Sequence, residues 1–177
     1  MKTIKLNNKE IPVYCTVEDA NQYFAEKFGA DNWENQTTET KQKLLITATR
    51  KLNKLCLKGF PCEINQPLLF PRFFKINYLS KRTYTSEANA VTIHGKELIY
   101  IEQSTEMLFA CCEEALSLLN NSENSIHIKN QQLGIQSTSI MGNSVSYTGY
   151  GASEAVQVCP EALSYIDMFL KKTARVV

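Results

Sequence analysis

Apolar and polar positions along this chain repeat mainly at helical spacing, most clearly from Thr38 to Leu55. There Leu45, Ala48, Leu52 and Leu55 fall on one face, the pattern of an amphipathic helix. Lys43, Arg50, Lys51 and Lys54 lie largely off that face. Thr37 or Thr38 can cap the start, and Gly59 with Pro61 ends the pattern. An earlier helix is predicted over 17–28, with Thr16 as N-cap and Glu18 and Asp19 in the first turn. Ala20, Phe24 and Phe28 make its inner face, with Tyr23 beside them, and Gly29 closes it. Trp33 is expected to plug the gap between these two helices. A third helix is predicted from Ser104 or Thr105 to Leu119, with Leu108, Cys111 or Cys112, Ala115 and Leu119 inside. A last one opens at Pro160, suited to the first helical position, and runs to about Lys172 on Leu163, Ile166 and Leu170.

The period changes between the helices. Ile11 to Cys15 is a short extended stretch. Residues 60–75 set Pro61, Pro67 and Pro71 among Phe60, Phe70, Phe73 and Phe74, too much proline for a helix, so an ordered extended crossing is expected. Ala90–Ile93 and Glu97–Ile101 are β-prone around His94-Gly95-Lys96. They predict a hairpin or long exposed loop, set as an insertion over 75–101 on a helical frame. Residues 133–148 alternate as a second β pair with a turn at Gly142-Asn143. Most positions on both of its faces are small and polar, so the ribbon has little to bury and is marginal alone. It is expected to pair with another chain or to lie against something outside the domain. Gly149 to Ser153 reads as a flexible link. The fold class is therefore mainly α (α+β): a small helical bundle with a β-hairpin and an extended loop insertion. One domain spans 1–177, and residues 153–177 form a C-terminal helix or arm.

Composition adds limits. With 44% hydrophobic and 21% charged residues the chain has the means for a core, which excludes wholesale disorder. A net charge of +1 argues mildly against a dedicated nucleic-acid binder. The six cysteines include no C-x-x-C pair and read as reduced core thiols of a protein made in a cytoplasm. Met1 to Asn8 has no apolar h-region, and no apolar run reaches the length of a span, so neither a secretory signal nor a membrane segment is expected.

Catalytic patterns are missing. His94 and His127 sit apart, without donors at metal spacing. Glu113 and Glu114 are adjacent, so they diverge by about 100° on a helix and read as a solvated face. Gly95-Lys96 lacks a phosphate loop, Gly149-x-Gly151 lacks a third glycine, and Gly142–Ser146 ends in serine where a nucleophile elbow needs glycine. Cys62 and Cys159 have no obvious base beside them. No enzymatic activity, metal or cofactor is expected. Interaction surfaces remain. Lys41, Lys43, Arg50, Lys51, Lys54 and Lys58 make either a solvated helix face or a nucleic-acid surface. Arg72, Lys75, Lys81 and Arg82 with Tyr78 and Tyr84 resemble a basic and aromatic strip that stacks on single strands.

The order of motifs carries a resemblance. Ala20-x-x-Tyr23-Phe24 is followed by Trp33, then Lys41-x-x-Leu44-Leu45-x-x-Ala48-Thr49-Arg50-x-Leu52, then Phe70-Pro71-Arg72. Ala110-x-x-Glu113-x-Ala115-Leu116, Gly134-Ile135, Val145-x-Tyr147, Pro160 and Ile166-Asp167-x-x-Leu170 complete the series. Over about 16–172 this resembles the small head–tail connector (adaptor) proteins of tailed bacteriophages, some of which carry the label DnaT-like single-stranded-DNA-binding protein. The chain departs from them in a longer 75–101 segment, and Ile101 is followed by Glu102 where relatives have an Ile-Pro start. The resemblance implies a structural virion protein in the neck, forming a ring of about twelve-fold symmetry beneath the portal. Its partners would be the portal protein, the next neck or tail-completion protein, further copies of itself, and genomic DNA in the lumen. It implies a portal or subunit interface at Ile135, Val145, Tyr147, Tyr150, Tyr165, Phe169, Lys171, Lys172 and Arg175. Arg50, Lys54, Lys81 and Arg82 are its candidate channel residues. The alternative is the literal label, a single-stranded-DNA-binding replication accessory. A generic helical interaction module is the third.

Overall fold

The structure, a computed structural model, describes residues 1–75, 88–93, 96–120, 137–140, 143–146 and 158–171. The chain opens with an antiparallel hairpin of β1 (Lys2–Leu6) and β2 (Lys9–Val13), in register from Lys2↔Val13 to Leu6↔Lys9. Asn7 and Asn8 make its turn with φ of 49° and 60°. Asparagine tolerates that left-handed region better than most side chains. Ile4 and Val13 are buried. The extended stretch expected over 11–15 is the end of this hairpin.

Helix α1 (Val17–Ala25) starts at a full capping box between Thr16 and Asp19. It stops short of Phe28, which is 102% exposed and off the inner face it was expected to join. The short α2 (Asp31–Glu34) seats Trp33 in the core, 4.7 Å from the Phe24 ring, where its Nε1–H donates to Asn21 Oδ1. Helix α3 (Thr38–Leu52) is capped by Thr37 and buries Leu45, Ala48 and Leu52. Helix α4 (Thr105–Asn120) is capped by Ser104 Oγ, which accepts from the Met107 N–H. It is buried nearly all round from Ala110 to Leu116, as expected of a central helix. Helix α5 (Pro160–Ile166) and a 3₁₀ turn (Asp167–Phe169) pack Ala162, Ile166 and Phe169 into the same core.

The strands overturn part of the predicted architecture. β3 (Phe60–Pro61), β4 (Arg72–Lys75), β5 (Ala88–Ile93) and β6 (Lys96–Ile101) form a four-stranded antiparallel sheet in the order β3-β4-β6-β5. β6 is an interior strand, and its Ile99 and Ile101 enter the core with Phe74 of β4. A small helical bundle with a hairpin and a loop insertion does not describe this molecule. It is a mixed α+β fold with antiparallel sheets, in which residues 96–101 are part of the frame. The physical reason is pairing: β4 is short and follows three prolines, and it becomes a strand by bonding to β6 and β3. The remaining pair, β7 (Ser137–Ile140) and β8 (Asn143–Ser146), bonds to no other described strand.

The C-terminal segment is tied in through Lys171. Leu57 and Leu170 form a β-bridge, the Lys58 N–H donates to Phe169 O at 2.7 Å, and the Lys171 N–H to Cys56 O at 3.0 Å. No helix among the described residues is long and apolar enough to cross a membrane.

Candidate nucleic-acid interface

The sheet turns one face to the core and leaves an aromatic row on the other. Alternation along β4 sends Phe74 inward and Phe73 outward. Phe73 pairs in register with Phe60 on one side and Tyr100 on the other. Their rings follow one another at 5.6 Å and 5.4 Å between centroids. Phe60 is 44% exposed, and Phe73 and Tyr100 are half-buried. Burial, with the Glu102 carboxylate and the Cys62 thiol nearby, raises the Tyr100 phenol above its ordinary range. It therefore stays a neutral hydroxyl. Lys75 shares Phe73's side of β4 by the strand period, and it and Lys96 are exposed.

Two residues hold β3 against β4. Gly59 has φ +70°, and a Cβ there would meet Phe73 O at 2.1 Å. Only glycine allows that approach. Arg72 is buried, and its guanidinium donates to the carbonyls of Lys58 at 2.7 Å, Leu57 and Leu69 at 3.3 Å and Gly59 at 3.4 Å. Burial lowers its pKa from the ordinary value. Arg72 was expected in a basic strip on the surface. Instead it staples the 57–59 turn from inside. Lys81, Arg82, Tyr78 and Tyr84 of that strip lie outside the described residues.

Part of the expected basic face of α3 is tied up within the fold. Lys51 pairs with Glu114, Lys43 with Glu39 at 2.6 Å, and Lys58 Nζ donates to Met168 O at 2.8 Å. Lys41 sits 5.6 Å over the Trp33 ring, a cation–π position. Arg50 and Lys54 are exposed.

Glu113 and Glu114 are not on a solvated face. They are 5% and 1% exposed, because partners on other elements make burial tolerable. Glu114 also accepts the Cys159 N–H at 2.7 Å. Glu113 receives the Tyr23 hydroxyl and Lys27 Nζ, the latter at 2.6 Å. Above it runs an open groove of about 700 Å³, lined by Tyr23, Phe28, Leu108, Phe109 and Tyr165 with Asp19, Glu26 and Lys27. Burial and then the Glu113 hydrogen bond push the Tyr23 phenol far up, so it remains a donor.

Of the residues expected at a portal or subunit interface, Tyr165 lines this groove, with its hydroxyl 3.1 Å from that of Tyr23. Phe169 is a core residue, with its ring 5.5 Å from Phe70 and 5.4 Å from Phe74. Lys171 is exposed and Val145 falls in β8. Ile135, Tyr147, Tyr150, Lys172 and Arg175 lie outside the described residues, as do His94 and His127. Among the described residues no group of three or more His, Cys, Asp or Glu could hold a metal.

The fold thus defines an α+β protein with an aromatic row on the sheet face turned away from Phe74. A family model described as DnaT-like ssDNA binding protein matches residues 8–175, and the chain belongs to that family. No curated protein and no solved structure matches it. The row of Phe60, Phe73 and Tyr100 was not anticipated. Its only local trace is the alternation at 72–75, since the three rings come together through strand register.

Proposed function

We propose that this chain binds single-stranded DNA and catalyses no reaction on it. The register of Phe60, Phe73 and Tyr100 across neighbouring strands carries the reading, and membership in a family described by that binding supports it. Bases of a single strand stack on such rings, each worth about 1–3 kcal/mol and with little sequence preference, because every base has a π-face. Lys75 and Lys96 are placed for the phosphates. Gly59 and Arg72 contribute by keeping β3 in place. The test is fluorescence anisotropy with a labelled oligothymidylate at low salt. Phe73→Ala and Tyr100→Ala should each weaken binding about tenfold, while circular dichroism stays that of the unaltered chain. If the unaltered chain does not bind, the function is wrong. If it binds and neither variant matters, the site is wrong.

The β7–β8 ribbon favours a second reading: a head–tail connector of a tailed phage. Both edges of that ribbon are unpaired among the described residues, and open edges are completed by neighbouring chains. In a ring beneath a portal, further copies would supply those edges, and a net charge of +1 lets a duplex pass without sticking. Portal protein, a tail-side neck protein and genomic DNA would be its partners in the virion. Purified portal rings mixed with this protein and imaged in negative stain should gain a layer of density. Portals left bare would count against the connector and leave the DNA-binding test unaffected.

A further inference from the structure

The core holds two thiols in contact that no part of the DNA-binding reading uses. Cys15 Sγ lies 3.3 Å from Cys112 Sγ across 97 positions of sequence, and both residues are 0% exposed. Cys15 joins β2 to the Thr16 cap of α1, and Cys112 sits on α4. Cys111 is turned elsewhere: its sulfur is 3.5 Å from Thr49 Oγ1 and 3.8 Å from Leu45 O, both on α3. Adjacent helix positions diverge by about 100°, so only one of the two neighbouring thiols can meet Cys15.

We infer that Cys15 and Cys112 are a latent redox clasp, which a small disulfide oxidant closes into a bond tying the start of α1 to α4. In the reduced protein the Cys15 thiol donates to Thr16 O at 3.2 Å, which leaves Cys112 to donate to Cys15. The hydrogen bond with Cys112 and burial raise the Cys15 pKa far above a free thiol. A reactive thiolate therefore forms only when the core opens. One thiolate then attacks a sulfur of the oxidant RSSR and expels RSH after protonation. The second displaces the remaining RSH from the mixed disulfide. Two thiols and RSSR become one protein disulfide and two RSH, with two electrons passed to the oxidant. The sulfurs need to approach by little more than 1 Å to reach a bond of about 2 Å. The cross-link would close a long loop and restrict the unfolded chain strongly.

The experiment uses the full native chain, incubated with oxidised glutathione, acid-quenched and weighed intact. The expected result is a loss of about 2 Da, a tryptic link between the Cys15 and Cys112 peptides, and a thermal midpoint raised by several degrees and restored by dithiothreitol. Cys111→Ala should keep the mass change and Cys112→Ala should lose it. Six alkylatable thiols after treatment would overturn the proposal. So would glutathione adducts alone, or a link that maps to another pair. The peptide map of the unaltered chain decides the matter even if Cys112→Ala fails to fold.

Discussion

Glu114 shows how one residue can join three elements. It lies on α4, takes the Lys51 ammonium from α3, and accepts the Cys159 N–H at the start of α5. Removing it leaves an ammonium and a part-buried amide without their acceptor. Glu114→Ala should cost about 3 kcal/mol, the lower end for a broken buried pair because Lys51 still reaches solvent. Glu114→Gln should recover part of that loss through the amide oxygen. Urea unfolding followed by Trp33 fluorescence measures both. Asp19 acts at the other end of the sequence. Burial alone would raise its carboxyl, but the Lys2 ammonium and the Thr16 N–H and hydroxyl hold it below the ordinary range. A depressed carboxyl stabilises the fold above its unfolded pKa and loses that effect as pH falls through the folded value. The stability difference between the unaltered chain and Asp19→Asn should therefore be largest near neutrality and close below about pH 4. A difference that stayed constant with pH would show that the carboxylate charge is irrelevant. The polar identity of Glu113 and Glu114 was plain from sequence, but their burial was not. Partners as remote as Tyr23, Lys27 and Lys51 decide it.

At the scale of elements, the helices and the pairs β5–β6 and β7–β8 were legible, while β1 and the joining of β5–β6 to β4 and β3 were not. Thr16, Thr37, Ser104 and Pro160 mark real helix starts, because caps and apolar spacing act within a few residues. The ends were less legible: α1 stops before Phe28 and α3 before Leu55, where tertiary turns override the pattern. Strand β6 was expected with β5 as a hairpin, but it looked like part of an insertion because its other partner, β4, becomes a strand only by pairing. The last helix read as an arm, yet Ile166 is fully buried and the strand-like bonds at Lys58 and Lys171 hold its far end. Ile166→Ala should cost about 2–5 kcal/mol, like other large-to-small core changes, and Leu52→Ala on α3 a similar amount. A chain ending before Pro160 should lose cooperative unfolding in urea. A truncated chain that still melted sharply would show that α4 and the sheet make a sufficient core alone.

At the scale of the molecule, the proposed binding raises the question of which force would bring DNA to the row. Single-strand binders commonly combine aromatic rings with a positive groove, and their affinity falls steeply with salt. Here the charge is close to balanced, with 19 Lys and Arg against 18 Asp and Glu. Two lysines are committed to partners inside the fold, Lys51 to Glu114 and Lys58 to Met168 O, and Lys43 shares an exposed pair with Glu39. On the described part of the sheet, Lys75 and Lys96 are the exposed cations. Neutralising about two phosphates gives a slope of log K against log salt of about −1 to −2 for a single strand. Stacking should then carry most of the free energy. Titrating an oligothymidylate at several salt concentrations should give that shallow slope in the unaltered chain. Lys75→Ala together with Lys96→Ala should flatten it further, while Phe73→Ala should lower affinity and leave the slope unchanged. A steep slope would instead place the contact on cations beyond the sheet, with Arg50 of α3 and Lys54 just past its end the first to replace.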